Sequence, residues 1–331
     1  MKPGSASLYF PSVLAAIVLF TAGVPARAQM TPPACDRSVT LCERLNWVEQ
    51  VMWTRDAGGI PHLREAAAAD AHERVRERSI GALVSLGDTG AADTFLDRLG
   101  NDPSPAVRRA AAEAIGTLKL KVPLERLTGP LQKDSYPLVR AECARAIGRT
   151  GQAGGGPALL IALIQDPSPD VRALCAEALA LLHVQEGMDT LRHTAARDPS
   201  PIVRYYALLG LADSAPSASL SLFKEVWENT DDPELRVEAF RGLLLAGGGG
   251  EWIDAGMADA DRRIRFLAFR EWITRLRVDP KARLTRNYEI VQRIEPFLSD
   301  PVRGIRDLAK AYLEKQGLKV RQSGLIYVIA D

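Results

Sequence analysis

The chain has 331 residues, a formal net charge of +1, 25% charged residues and 6% aromatic residues. That balance excludes a disordered or acidic-tailed polypeptide. It also gives no electrostatic basis for binding nucleic acid, which needs many Lys and Arg contacts to phosphate.

The chain opens with Lys2, an apolar run over positions 13–23, and the small-x-small sequence Ala26-Arg27-Ala28. This pattern predicts a secretory signal peptide, residues 1–28, cut after Ala28. The run is too short for a membrane anchor, because a spanning helix needs roughly 20 apolar residues. Cys35 follows Thr31-Pro32-Pro33-Ala34 and so lacks a lipobox. Losing residues 1–28 removes Lys2 and Arg27 and no acid, so 42 basic against 41 acidic residues becomes 40 against 41. The mature protein is expected to be exported, periplasmic or secreted, with no nucleic-acid partner and no membrane-spanning segment.

Residues 29–58 form an N-terminal extension with an amphipathic helix over Leu41–Thr54, which carries Trp47 and Trp53 and is expected to cap the first repeat. Residues 59–317 are repetitive. Asp-Pro-Ser-Pro-x-Val-Arg occurs at positions 102–108, 166–172 and 198–204, with a looser copy, Asp-Ser-Tyr-Pro-Leu-Val-Arg, at 134–140. The arginines fall at equal intervals, at Arg76, Arg108, Arg140, Arg172, Arg204 and Arg236; Arg265 and Arg306 follow at irregular ones. Before each Arg stands Val, Leu or Ile. Three residues after it stands Ser, Ala or Cys, and seven after it an apolar residue. Offsets of −1, +3 and +7 share one face of an α-helix.

The helix starts are marked too. Ser104, Ser168, Ser200, Asp232 and Asp261 occupy N-cap positions, where a side-chain oxygen can accept from the first-turn N–H groups. Pro105, Pro137, Pro169, Pro201 and Pro233 follow at the first helical position. A second apolar helical stretch precedes each such helix. Each unit is a helical hairpin that cannot bury its apolar face alone, so the units must stack.

The Asp-Pro-x-Pro-x-Val-Arg phrase with its Ala-rich helix resembles HEAT repeats, of the short type also found in phycobilisome lyases. The resemblance implies an all-α, right-handed α-solenoid of about eight hairpins, with the Val-Arg helices lining the concave surface. It further implies a structural ladder between neighbouring repeats, built from the Asp and Arg six residues apart: Asp70 and Arg76, Asp102 and Arg108, Asp134 and Arg140, Asp166 and Arg172, Asp198 and Arg204, Asp259 and Arg265, and Asp300 and Arg306. The arginine column is read as structural rather than as a row of anion sites. Thr230 breaks the rule, with Asp231 beside it.

Residues 281–299 are a longer helical stretch. Residues 318–331 depart from the helical pattern, and the β-prone Leu325-Ile-Tyr-Val-Ile329 after Ser323-Gly324 suggests a short hairpin, a partner-binding strand, or a tail folded over the last repeat.

Little in the sequence points to catalysis. Cys35 and Cys42 are a candidate local disulfide in an oxidising compartment. Cys143 and Cys175 occupy equivalent core positions in adjacent repeats, about one helix spacing apart, and are expected to be buried thiols. His62, His72, His183 and His193 show no metal-ligand spacing, so no metal or cofactor is expected. His72-Glu73 is a single pair, whereas the HEAT-repeat di-iron hydroxylases use several. Gly154–Gly156 and Gly247–Gly250 lack the strand and the Gly-Lys-Ser/Thr of a phosphate loop.

One stripe stands out. Offsets +1 and +5 from each Arg point away from the core. In the early repeats they hold Glu, Arg, Ala and Gly, and in later repeats Tyr205, Leu209, Val237, Arg241, Phe266 and Arg270. Aromatic, aliphatic and Arg side chains on an exposed stripe are interface-like, unless the solenoid twists or residues 281–299 fold back over them. The favoured function is a non-catalytic scaffold or adaptor that binds a protein or peptide on its concave face. The runner-up is an enzyme or enzyme subunit of bilin-lyase-like type.

Overall fold

The computed structural model describes residues 40–247, 249–276, 285–315 and 318–329. The signal peptide with its cleavage site, Cys35, and residues 281–284 of the long stretch lie outside the described residues.

Helix α1 (Leu41–Thr54) precedes eight hairpins. These pair α2 (Ile60–Ala69) with α3 (Glu73–Ser85), α4 (Ala92–Asn101) with α5 (Pro105–Thr117), α6 (Glu125–Lys133) with α7 (Pro137–Thr150), and α8 (Gly156–Gln165) with α9 (Pro169–Leu181). The series continues with α10 (Met188–Arg197) and α11 (Pro201–Ser214), α12 (Leu220–Asn229) and α13 (Pro233–Leu245), and α14 (Gly250–Met257) and α15 (Arg262–Arg275). Last come α16 (Thr285–Ile294), with a 3-10 extension at Glu295–Ser299, and α17 (Arg303–Lys315). The result is an all-α solenoid.

The odd-numbered helices from α1 to α17 pack each on the next and form one layer. In the second layer α2, α4, α6 and α8 pack in series, as do α10 and α12. The −1, +3 and +7 residues fill the seam between layers: Val107, Ala111 and Ile115 in α5, and Val171, Cys175 and Leu179 in α9, are all fully buried. The odd layer is the tighter one, and small residues make it so. A Cβ on Gly116 would stand 2.9 Å from the Ala146 Cα, and one on Gly148 would stand 2.8 Å from the Ala178 Cα. Eight residues past the arginine of one helix meets six past that of the next, and at each such contact from α5 to α13 both positions are Gly or Ala. A layer whose helices approach more closely lies inside the curve, so the odd helices form the concave face.

The ladder runs in a different register from the six-residue pairs. Four successive arginines send Nε and Nη2 to the carboxylate 26 residues ahead, in the next repeat. Arg76 reaches Asp102 at 2.7 and 2.8 Å, Arg108 reaches Asp134 at 2.7 and 3.0 Å, Arg140 reaches Asp166 at 2.7 and 2.9 Å, and Arg172 reaches Asp198 at 2.9 and 3.0 Å. The aspartate six residues back contributes only its backbone carbonyl, which accepts from Nη1 at 2.8–3.0 Å. The carboxylate of that aspartate is occupied instead by the arginine of the preceding repeat, and it also accepts the backbone N–H two residues on. Asp102 takes Ser104 N–H, Asp134 takes Tyr136 N–H, Asp166 takes Ser168 N–H and Asp198 takes Ser200 N–H, each at 2.9 Å. Each aspartate therefore fixes a helix start and a repeat interface together.

This arrangement also corrects the capping expectation. Ser104, Ser168 and Ser200 do stand at N-cap positions with extended backbone, but their hydroxyls make no cap hydrogen bond. The aspartates two residues earlier organise the turn instead. Asp232 and Asp261 cap with their own side chains, Asp232 to Glu234 and Leu235 N–H, and Asp261 to Arg263 N–H.

The ladder begins earlier than the repeat motif suggested. Arg44 of α1 lies one full period before Arg76, and its Nε stands 2.9 Å from Asp70, the next aspartate of the series. Trp47 and Val51, at +3 and +7, are buried. Helix α1 is thus the second half of a further repeat and caps the array with the same chemistry. Trp53 takes no part in this cap and is 79% exposed. The ladder closes with Arg236 to Asp259 at 2.8 and 2.6 Å and Arg265 to Asp300 at 3.5 Å.

The tail forms an antiparallel hairpin, β1 (Val320–Ser323) and β2 (Ile326–Ile329), turning at Gly324 with φ of 65°. It packs against the Glu295–Ser299 extension and α17. Tyr327 Oη donates to Asp307 at 2.9 Å, and Lys310 lies over the Tyr327 ring. Among the three alternatives for this segment, it is both a hairpin and a cover for the last repeat.

Candidate binding surface on the inner layer

The inner helices present their +1 and +5 side chains on the concave face, apart from the buried Ala141 and Ala173, and the character of that face changes along the array. In the N-terminal half it is a chain of ion pairs within and between successive helices. Glu77 meets Arg109 at 3.4 Å, and Arg109 meets Glu113 at 3.1 Å. Further on, Glu142 meets Arg145 at 2.6 Å, and Arg145 meets Glu177 at 3.7 Å. These pairs are partly exposed and stabilise the fold little, each by about 0–1 kcal/mol. Their effect is to neutralise the face pair by pair.

At the N-terminal end the face opens into a cleft of about 570 Å³ between α1, α3 and α5. Val48, Met52, Ile80 and Ala114 form its apolar lining, and Glu49, Arg74, Arg78 and Glu113 surround them. Gly81 creates the space. It holds the +5 position that carries Glu113, Arg145 and Glu177 in the next repeats, and a Cβ there would meet nothing within 4 Å. The sequence did contain this signal, as the one glycine in the +5 column.

In the C-terminal half the same offsets carry the aromatic stripe. Tyr205 and Leu209 of α11, Val237 of α13 and Phe266 of α15 are half-buried. The Tyr205, Val237 and Phe266 side chains pack against the edge of the core. Tyr205 lies edge-on to Tyr206 with ring centroids 5.7 Å apart. Phe266 reaches α17, where its ring would meet a Cβ on Gly304 at 3.2 Å. The stripe is therefore a shallow apolar band, with Phe266 partly covered by the next helix.

The two arginines of the stripe differ. Arg241 is already held, by Glu238 at 2.6 Å and Asp213 at 2.5 Å, so it does not stand free at the border of the band. Burial opposes its charge, but these two carboxylates outweigh burial and raise its pKa. Arg270 is exposed and makes no ion pair among the described residues. Glu238, which sequence reasoning did not single out, is buried. Burial raises its carboxyl pKa, and the Arg241 hydrogen bond only partly offsets this. Burial, followed by the charge of Glu238, raises the Tyr205 phenol. Glu142 holds the equivalent +2 position in α7 and is raised by burial in the same way.

His72, His62, Cys143 and Cys175 have structural surroundings. His72 caps α3, its Nδ1 accepting from Arg74 N–H at 3.2 Å. His62 lies against Trp47. Cys143 and Cys175 are buried, which pushes both thiols above their ordinary range. Cys42 is exposed at the start of α1, and its proposed partner Cys35 is outside the described residues. No three His, Cys, Asp or Glu side chains converge as a metal-ligand set among the described residues. No described helix is long and apolar enough to cross a membrane.

Stacked hairpins with a tight inner layer and a continuous inner face define a repeat solenoid of the kind that presents an extended concave surface. The model for HEAT repeats matches residues 60–148 and 156–243, more than half of the chain. The chain belongs to the HEAT-repeat family. No curated protein matches it. Among solved structures, it is similar to a variant of Kap121p, with 15% identity and a TM-score of 0.52 over 87% of this chain and 35% of that one. It is also similar to the complex of CpcE and CpcF of phycocyanin lyase from Nostoc sp. PCC7120, with 19% identity and a TM-score of 0.44 over 78% of this chain and 99% of that one. Human deoxyhypusine hydroxylase matches at 17% identity and a TM-score of 0.36, over 81% of this chain and 99% of that one. At these identities the likeness is one of fold alone.

Proposed function

We propose that this protein is an exported, non-catalytic scaffold or adaptor that binds a protein or an extended peptide along its concave face. The observation that carries this reading is the change in the inner face. In the first four repeats the charged residues at +1 and +5, Glu77, Arg109, Glu113, Arg145 and Glu177, form ion pairs, and in the later ones these offsets include Tyr205, Leu209, Val237 and Phe266. Packing of the repeat does not require large apolar residues at these offsets, since Glu, Arg and Gly serve there elsewhere. A half-exposed apolar band on a concave surface gains from being covered.

Replacing Tyr205 and Phe266 together by Ser tests the reading. The doubly substituted protein should keep its helical circular dichroism and lose about 1–3 kcal/mol of stability, most of it from Phe266 against α17. Its capture of partner from the native cell envelope should fall at least tenfold. Capture equal to that of the unaltered protein would overturn the assignment of the band. Export has its own test. Amino-terminal sequencing of protein recovered from outside the cytoplasm should begin at Gln29, and an intact Met1 on that protein would refute the processing.

A further inference from the structure

Among the described residues, the ladder is interrupted between its first and last carboxylates at one rung, that of Arg204. Its Nη1 donates to the Asp198 carbonyl at 2.8 Å, as at the four preceding rungs. The residue one rung ahead is Thr230, where the preceding rungs carry Asp. The Thr230 hydroxyl takes over the turn, accepting from Asp232 N–H at 3.2 Å, but it offers nothing to grip a guanidinium edge. The Thr230 backbone keeps the same place. Its φ and ψ of −90° and 136° match those of Asp102 at −69° and 132° and of Asp166 at −68° and 130°. The rung therefore retains the arginine, the carbonyl that orients it and the turn opposite, and lacks only the carboxylate. Arg204 is half-buried and makes no ion pair among the described residues. Asp231 is next in sequence and exposed.

We propose that the Nε–Nη2 edge of Arg204 is a binding site for a carboxylate supplied from outside the chain, such as an acidic side chain or terminal carboxylate of a bound polypeptide. A planar guanidinium held by its third nitrogen is pre-oriented for a bidentate carboxylate, the ligand its counterparts hold within the fold. The site opens α11, the helix that carries Tyr205 and Leu209. The assignment does not depend on the inner-face reading: the fork can take a carboxylate even if the apolar band binds nothing.

The test uses the mature protein labelled with ¹⁵N, following the Arg204 Nε–H resonance, which is identified by its loss in Arg204→Lys. Acetate and inorganic phosphate are the probes, titrated separately at constant ionic strength. Acetate should shift the resonance saturably. Thr230→Asp should complete the rung, raise the melting temperature by about 2–4 °C, and abolish the acetate response. Asp231→Asn should leave both the free resonance and the response unchanged. The proposal is overturned if acetate leaves the resonance unmoved, or if Thr230→Asp responds like the unaltered protein. It is also overturned if Asp231→Asn alone creates the response, since Asp231 would then be the native partner. A response to phosphate with none to acetate would overturn the carboxylate class.

Discussion

Replacing Asp102 by Ala should destabilise the protein by about 3–5 kcal/mol, the cost of leaving one member of a buried, hydrogen-bonded ion pair unpaired. The Asp102 side chain is 0% exposed and that of Arg76 is 9% exposed, which makes this the most enclosed rung of the ladder. The substitution removes both hydrogen bonds to Arg76, the Ser104 N–H acceptor and the 3.2 Å contact to Arg98. Thermal or urea unfolding measures the loss. Asp166→Ala, at a more accessible rung, should lose less, about 1–3 kcal/mol. Lys224 and Glu228 form an exposed pair, and Glu228→Ala should change stability by under about 1 kcal/mol.

The same residue sets a pH dependence. Burial works to raise the Asp102 carboxyl, but the Arg76 hydrogen bonds, the Ser104 N–H and the Arg76 charge outweigh it and hold the pKa below the ordinary carboxylate range. A carboxyl depressed on folding contributes stability that is full above its unfolded pKa and is lost as pH falls through its folded one. Stability should therefore drop as pH falls below about 4, and the drop should be shallower in Asp102→Ala. An Asp102→Ala protein with unchanged melting behaviour and an unchanged acid limb would contradict a ladder that joins the repeats.

The second large effect is expected at Gly148. A Cβ there would lie 2.8 Å from the Ala178 Cα and 2.9 Å from its Cβ. Both obstacles belong to a helix rather than to a flexible side chain, so α7 and α9 must separate. Gly148→Val should cost about 3 kcal/mol or more from overpacking. Because this contact sets the inner spacing, small-angle scattering should also show a straighter array. Gly81→Ala is the control: it has open space around it, and gaining Ala in a helix should raise stability by up to about 1 kcal/mol.

The architecture was legible because the constant period of the arginines, the Pro at each helix start and the −1, +3, +7 face all specify one unit. The pairing of the ladder was not. Asp102 and Arg108 are close in the sequence and share a motif, whereas the contact from Arg76 to Asp102 spans a whole outer helix and exists only once α3 and α5 have stacked. Arg44 could have been found, since it lies one period before Arg76, but Glu43 stands where the other repeats have Val, Leu or Ile. The +6 and +8 small residues were hidden among many alanines, and only the approach of one helix backbone to the next distinguishes Gly148 from Gly129. Of the candidate surface, the half-exposed positions of Tyr205, Val237 and Phe266 followed from helix geometry. The holding of Arg241 by Asp213 and Glu238, and the cover that α17 gives Phe266, depend on neighbouring helices and could not be read from one helix alone.

Whether the inner layer is where this protein meets its partner is tested most directly by a photo-crosslinking amino acid at position 205. It is placed in the full chain, expressed in its native cell, and compared with the same group at position 193 on the outer helix α10. His193 is exposed, so both probes reach solvent. The predicted result is a discrete protein adduct from position 205 and none from position 193. Adducts from position 193 alone, or no adduct from position 205 in folded, processed protein, would contradict it.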